Sequence, residues 1–152
     1  NNSKEKDKDK LIKEMNKRIV HRDDAEGIYI DDNVALGQRD INNDLEGGNQ
    51  PIYNKDKSIL IVYNGEVYNY KELKEELTEY EFQTNSDTEV ILHGYEKWGK
   101  ELPKKLRGMF AYAIYDKNKN EIFISRDHFG IKPLYYYQNK DVILFGSEKK
   151  VF

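Results

Sequence analysis

Ser58-Ile59-Leu60-Ile61-Val62-Tyr63-Asn64-Gly65-Glu66-Val67-Tyr68-Asn69 is the stretch on which the fold is read. Ser58 to Tyr63 is an apolar run of strand length and composition. Asn64-Gly65 is the strongest short-range signal for a type I′ hairpin turn, and Glu66 to Asn69 continues as a second extended segment. Asn69 and Glu72 then have capping-box spacing ahead of Leu73 and Leu77, and Ser86 and Glu89 repeat it ahead of Val90, Ile91, Tyr95 and Trp98. Two amphipathic helices therefore follow the strands. Leu102 and Leu106, with Pro103 near the start and Gly108 past the end, predict a third, shorter helix.

Downstream, Met109 to Tyr115, Glu121 to Ser125, Leu134 to Tyr137 and Val142 to Phe145 are β-rich runs divided by turn residues, the pattern of an antiparallel meander. Upstream, Ile28, Ile30 and Val34 to Leu36 flank Asp31-Asp32-Asn33 as a hairpin. Gln38 to Asn49 is polar and aperiodic, hence a loop. Leu11, Met15 and Ile19 recur every four residues and give a short helix ending around Val20 to Arg22. Ahead of it, Asn1 to Lys10 reads as a solvated tail or frayed helix start. Strands on both sides of a helical middle make the class α+β, with a polar tail over 1–10 and one domain over 11–152.

The 152 residues fit a single core. They include no cysteine, which excludes disulfides, cysteine-ligated zinc, iron–sulfur clusters and a cysteine nucleophile within the chain. Lys and Arg number 25 against 28 Asp and Glu, a net charge of −3 with the signs interspersed, so nucleic acid is not favoured as a partner. No apolar run approaches a membrane span and the first residues have no signal-peptide core, which leads to the expectation of a soluble, cytoplasmic protein. Hydrophobic residues make up only 38%, and the twelve tyrosines and six phenylalanines must supply much of the core. His21, His93 and His128 lie far apart without metal-ligand spacing, so neither metal nor cofactor is expected.

Taken singly, the polar motifs are unexceptional. Asp87 beside Ser86 needs no more than the positive end of a helix, and Gly37-Gln38-Arg39-Asp40 is a polar loop. Their order is more specific. His21-Arg22 and Gly37-Gln38-Arg39 are followed by Gln50-Pro51-Ile52-Tyr53-Asn54, Tyr63 to Asn69 and Ser86-Asp87-Thr88-Glu89-Val90-Ile91-Leu92. Gly108-Met109-Phe110-Ala111 and Arg126-Asp127-His128-Phe129-Gly130-Ile131-Lys132-Pro133-Leu134-Tyr135 complete the series. From about Leu11 to Lys149 this resembles the N-terminal glutaminase domain of glutamine-dependent asparagine synthetases, a class II glutamine amidotransferase. The resemblance implies an N-terminal-nucleophile-type four-layer αββα sandwich, two antiparallel sheets face to face with helices outside. It also implies glutamine hydrolysis by a processed N-terminal cysteine whose own α-amino group is the base. The ammonia would pass to an ATP-using synthetase domain that makes asparagine from aspartate. By position, the resemblance assigns Asn64 and Gly65 to the oxyanion hole and Glu66 to contact with glutamine. It assigns Asp87 to the α-ammonium group of glutamine and Arg39 to its carboxylate.

Three departures accompany the resemblance. The family begins Met-Cys-Gly followed by a hydrophobic strand, whereas this chain begins Asn1-Asn2-Ser3-Lys4. Nucleophile and first strand are both lacking, and the chain is expected to be inactive alone. The family's Arg-Leu-Ser-Ile is here Arg39-Asp40-Ile41-Asn42, in a segment one residue shorter, with the gap placeable on either side of Arg39. His21-Arg22-Asp23-Asp24 lacks the family's Gly-Pro pair. Glutamine binding is accordingly expected to be weak or absent. An absent strand would leave its neighbours with unpaired N–H and C=O groups, to be met by another chain or a rearranged terminus, or else to cost stability. A synthetase domain or a homo-oligomer is the partner considered, although no Ser-Gly-Gly-x-Asp-Ser ATP motif occurs in the chain itself. Three origins fit these residues: a fragment or altered copy of the glutaminase half, a pseudoenzyme that binds glutamine or protein, and a chain altered by design.

Overall fold

Helix α1 (Asn2–Lys17) and a 3-10 turn at Val20–Arg22 open the computed structural model, which describes residues 2–22, 26–39 and 50–152. The stretch read as a solvated tail or frayed helix start is thus helical from Asn2 onward. Alternating Lys, Asp and Glu favour that outcome through pairs such as Asp9–Lys13, 2.9 Å apart and one turn away on the same face. The buried face is Ile12, Met15 and Asn16, whereas Leu11 is 43% exposed, so the apolar stripe is rotated by one residue from the expected one.

Strands β1 (Glu26–Ile30) and β2 (Ala35–Arg39) form the expected antiparallel hairpin. Asp31 makes its turn: Oδ1 accepts from the Asn33 and Val34 N–H groups at 2.8 Å, and Oδ2 from the Tyr29 hydroxyl at 2.7 Å. β2 continues through Gln38 and Arg39, two residues read from sequence as loop. Asp23 and Asp24, and Asp40 to Asn49 of that loop, lie outside the described residues. β3 (Ile52–Tyr53) and β4 (Ile59–Val67) precede helices α2 (Tyr70–Glu76) and α3 (Asp87–Trp98). Then come β5 (Gly108–Asp116), β6 (Glu121–Arg126), β7 (Tyr135–Gln138) and β8 (Ile143–Gly146).

The strands form three antiparallel sheets, β1–β2, β3–β4–β5–β6 and β7–β8. The class is α+β as expected. The expected meander is divided, with β5 and β6 in the central sheet and β7 and β8 in a hairpin of their own. Asn64-Gly65 is not a turn: β4 is one nine-residue strand, with Asn64 opposite Ala111 and Gly65 opposite Phe110. A ladder running the full length of both β4 and β5 outweighs a two-residue turn preference.

Both faces of the central sheet are buried, which is why Ile59 to Tyr63 reads as a continuous apolar run. Ile59, Ile61, Tyr63 and Val67 face one way and pack, with Phe110, Tyr112 and Ile114 of β5, against α2 and α3. Leu60 and Val62 face the other way and pack, with Ala113 and Tyr115, against Val34 in the β1–β2 turn and Leu36 of β2. α1 covers the far side of β1–β2 through Ile12 and Met15, which cluster with Val151 and, more loosely, Ile28, Ile30 and Leu144.

Capping follows the sequence in one place and not in another. The Ser86 hydroxyl caps α3 by accepting from the Thr88 N–H at 3.1 Å, but Glu89 turns back further, to the N–H groups of Gln83 and Thr84 at 2.8 and 2.7 Å. Asn69 does not cap α2. Its amide instead donates to the Lys105 carbonyl at 3.0 Å and accepts from the Arg107 N–H at 2.9 Å. The third helix is a 3-10 segment at Gly99–Lys104 with Pro103 inside it.

Asp127, buried between β6 and β7, ties β5 to the loop after it, accepting from the Ile131, Lys132 and Phe110 N–H groups at 2.8, 3.0 and 3.3 Å. Burial acts to raise its pKa, and these backbone donors outweigh it and hold the carboxyl below the usual range. Asp31 and Asp116 are lowered in the same way, burial being overcome by the Tyr29 hydroxyl with backbone N–H groups and by Lys119, respectively. Carboxyls lowered by folding contribute stability above their unfolded values and lose it as pH falls through the folded ones. The thermal midpoint is therefore expected to hold from pH 7 to 5 and to fall below about pH 4. Asp127→Asn should lower the neutral-pH midpoint and flatten the acid decline, both read by circular dichroism melts.

Candidate functional site

The site grows from an edge of β4 that the sheet leaves uncovered. β3 pairs only at Ile52 with Ile61 and Tyr53 with Leu60, so among the described residues no strand flanks β4 beyond Val62 on that side. Two glutamine side chains take its place at Tyr63. The Tyr63 N–H donates to Gln50 Oε1 at 2.7 Å and to Gln38 Oε1 at 3.0 Å, while the Gln38 amide nitrogen donates to the Tyr63 carbonyl. The backbone of Tyr63 is thereby satisfied by side chains where a neighbouring strand would otherwise serve. Both glutamines fall in the ordered motifs read from sequence, but nothing in their spacing identifies this task.

Two residues further on, the alternation of the antiparallel ladder turns the Gly65 N–H toward the same edge as that of Tyr63. At Val67 the edge is met by Asp87, whose Oδ2 accepts from the Val67 N–H at 2.8 Å and from the Tyr63 hydroxyl at 2.6 Å. The carboxylate thus spans the tripeptide Asn64-Gly65-Glu66 from one flank to the other. Asp87 is the first residue of α3, so the helix start that Ser86 caps is what carries it there. Burial, followed by the charge of Asp87 and the hydrogen bond to it, raises the Tyr63 phenol far above its ordinary value, so it remains a donor throughout the working pH range.

Gly65 is required by close approach. A Cβ there would lie 2.2 Å from the Met109 carbonyl oxygen, and the backbone has φ +156°. Gly108, opposite Val67, meets the reciprocal constraint, with the Glu66 carbonyl oxygen 2.1 Å from the position of its absent Cβ. Asn64 is half-buried and Glu66 exposed.

Arg39 lies on the other side of this edge. Its side chain is 8% exposed, its Nε donates to the Asn16 carbonyl at 2.9 Å, and its guanidinium stands 3.8 Å from Glu26 Oε2. Asn16 in turn donates to Glu26 Oε1 at 2.9 Å. A cavity of about 200 Å³ brings Arg39 and Asn64 together, with β2 and β8 as its walls and Val62 and Ala113 in its floor. Gly65, Glu66 and Asp87 are not part of its lining. The candidate residues therefore form two groups meeting at β4, one at the edge with Asp87 and one in the cavity with Arg39.

The histidines stand apart from both groups. His93 is buried between Glu96 at 2.7 Å and Glu89 at 3.6 Å and stacks on Tyr80, and His21 pairs with Glu148 at 2.9 Å. Among the described residues no three His, Cys, Asp or Glu side chains converge as a metal-binding group, and no helix is long and apolar enough to cross a membrane.

Comparison with known proteins gives one family. The family model described as a glutamine amidotransferase domain matches residues 1–152. Asparagine synthetase [glutamine-hydrolyzing] 1 of Bacillus subtilis (strain 168) is 47% identical over 148 residues, 95% of this chain and 23% of the relative. Asparagine synthetase B [glutamine-hydrolyzing] of Escherichia coli (strain K12) is 42% identical over 141 residues, 90% of this chain and 26% of the relative. Asparagine synthetase [glutamine-hydrolyzing] of Zea mays is 41% identical over 142 residues, 91% of this chain and 24% of the relative. The chain spans about a quarter of the length of these relatives.

Gly65→Ala places a methyl group into the β5 backbone and is expected to destabilise the fold by about 2–3 kcal/mol. Urea denaturation followed by tryptophan fluorescence checks this. A loss below 0.5 kcal/mol, roughly that of an ordinary surface change, would mean that β4 and β5 separate at this point without cost.

Proposed function

The chain belongs to the glutamine amidotransferase domain family, and from that premise we propose that it is the glutaminase-type domain of a glutamine-hydrolysing asparagine synthetase. The family activity is glutamine hydrolysis supplying ammonia for asparagine synthesis from aspartate and ATP. The observation that carries the reading is the edge of β4, where the Gly65 N–H and the Asp87 carboxylate lie within one tripeptide of each other. In this reading the Asn64 amide and the Gly65 N–H stabilise the developing oxyanion, Asp87 pairs with the α-ammonium group and Glu66 contacts the same substrate. Arg39 grips the carboxylate through two parallel hydrogen bonds, for which it must exchange partners with Asn16 and Glu26.

The architecture proposed is the N-terminal-nucleophile-type αββα sandwich without its first strand. Helices α2 and α3 would be one outer layer and α1 the other, with the central sheet and the two hairpins between them. The cavity walled by β2 and β8 is the slot proposed for the missing strand, since both walls are strands paired on their other side only, among the described residues. A cytoplasmic location fits this assignment, and a synthetase domain is the partner it calls for.

With no cysteine in its 152 residues, the chain is proposed not to hydrolyse glutamine alone. A second reading, a pseudoenzyme that binds glutamine or a protein without hydrolysis, is favoured by the presence of Asn64, Gly65, Glu66 and Asp87 at one stretch of β4. Calorimetric titration separates the two uses of the scaffold: no heat at millimolar glutamine removes the sensing version. For the enzyme reading, a Met-Cys-led hydrophobic strand is added at the N-terminus and ammonia release is measured. Activity is expected only when the segment after Arg39 is also restored to Arg-Leu-Ser-Ile. Release after the N-terminal addition alone would mean that the changed segment does not limit binding.

A further inference from the structure

We infer that Tyr63 is a positioning residue of the substrate site, aiming the Asp87 carboxylate at the ligand's α-ammonium group. The inference rests on the proposed role of Asp87 and deepens it. An aspartate at the first position of a helix can turn about two side-chain bonds and is free to fold back on the N–H groups of its own helix. Here it does not. Oδ2 takes two donors from β4, the Tyr63 hydroxyl at 2.6 Å and the Val67 N–H at 2.8 Å, while Oδ1 makes no hydrogen bond among the described residues. One oxygen is anchored and the other is presented.

The two anchors differ in kind. The Val67 N–H belongs to the backbone and is supplied whatever the side chain. Tyr63 is the variable member, and its ring lies in the core against α3, so the hydroxyl arrives from a fixed direction. Its backbone is held as firmly, by Gln38 and Gln50, which accept from its N–H along the same edge that Asp87 meets at Val67. A buried phenol that does not ionise at working pH is a donor only, and it cannot repel the carboxylate it holds. The carboxylate is therefore oriented before a ligand arrives, and its rotamer freedom need not be lost on binding. No residue in this arrangement other than Tyr63 couples the core face of β4 to the charge at its edge.

The test compares glutamine with 4-carbamoylbutanoic acid, which has the same chain and carboxylate but no α-amino group. Both are titrated into the chain and into Tyr63→Phe, with nuclear magnetic resonance shifts as the readout at millimolar ligand. Tyr63→Phe is expected to weaken glutamine binding about tenfold and to leave the analogue unchanged. In an Asp87→Asn background the same change should have no further effect on glutamine. Equal glutamine affinity in Tyr63→Phe and the unaltered chain overturns the inference, and so does an equal loss for both ligands, which marks a structural role. Should Tyr63→Phe not melt cooperatively, Tyr63→Met takes its place, and failure of both to fold also assigns a structural role. If the unaltered chain binds neither ligand, the comparison is repeated in the chain carrying the added N-terminal strand, with alanine in place of its cysteine, and the restored Arg-Leu-Ser-Ile segment, and absence of binding there removes the glutamine-site reading. If both ligands bind alike, the role given to Asp87 falls, and in either case the inference goes with it.

Discussion

The β4–β5 ladder is the constraint on which the rest depends. Nine residue pairs run without interruption from Ile59 opposite Asp116 to Val67 opposite Gly108. Near its end the two backbones close to a distance that no side chain permits, and the sequence supplies Gly65 on one strand and Gly108 on the other. That approach keeps β4 extended through Asn64-Gly65 and fixes which N–H groups point outward. Helices on one face and hairpins on the other then bury the two alternating sets of side chains, each large residue contributing about 1.5–3 kcal/mol relative to exposure. The candidate edge is a by-product of this pairing, because the N–H groups that β5 does not take are the ones left to meet a carboxylate or a ligand.

The parts of the fold legible in the sequence are those set by local chemistry. Asp31-Asp32-Asn33 made the β1–β2 turn, Ser86 capped α3, and the apolar runs after Gly108 became strands. The failures share a cause. Asn64-Gly65 has the local preference of a hairpin turn, and a partner more than forty residues away overrides it. Asn69 has the spacing of a helix cap, yet its amide is more strongly engaged by the Lys105 and Arg107 backbone at the entrance to β5. Leu11 has the right period and the wrong face, since α1 is oriented by what lies beneath it, the β1–β2 hairpin and Val151.

The candidate site divides along the same line. Asn64, Gly65, Glu66 and Asp87 were visible as ordered motifs, and their gathering at one stretch of β4 follows from the ladder and from the start of α3. The supporting residues were not visible. Gln38, Gln50 and Tyr63 act through a side-chain amide or hydroxyl on another segment's backbone or carboxylate, and such contacts leave no periodicity. Arg39 was legible as a guanidinium in a motif, but its placement on a strand and its attachment to Asn16 and Glu26 depend on α1, whose packing no local pattern specifies.

A nucleophile is absent from this sequence, and the geometry around its expected partners is nonetheless ordered. The two facts are compatible because none of the interactions that build the edge involve a reacting group. Gly65 is held by steric closeness, Asp87 by Tyr63 and Val67, and Tyr63 by two glutamines, all of them contacts that exist before any substrate or cysteine is present. The same separation explains the two-group arrangement. Residues at the edge are fixed by the central sheet, whereas Arg39 and Asn64 line a cavity whose other walls come from α1 and from the β1–β2 and β7–β8 hairpins, which are not paired with that sheet among the described residues. The candidate residues on β4 are therefore fixed by the backbone ladder, and Arg39 by its contacts with Asn16 and Glu26. A ligand taken up at the edge would leave these contacts in place, whereas one that engages Arg39 must displace its contacts with Asn16 and Glu26.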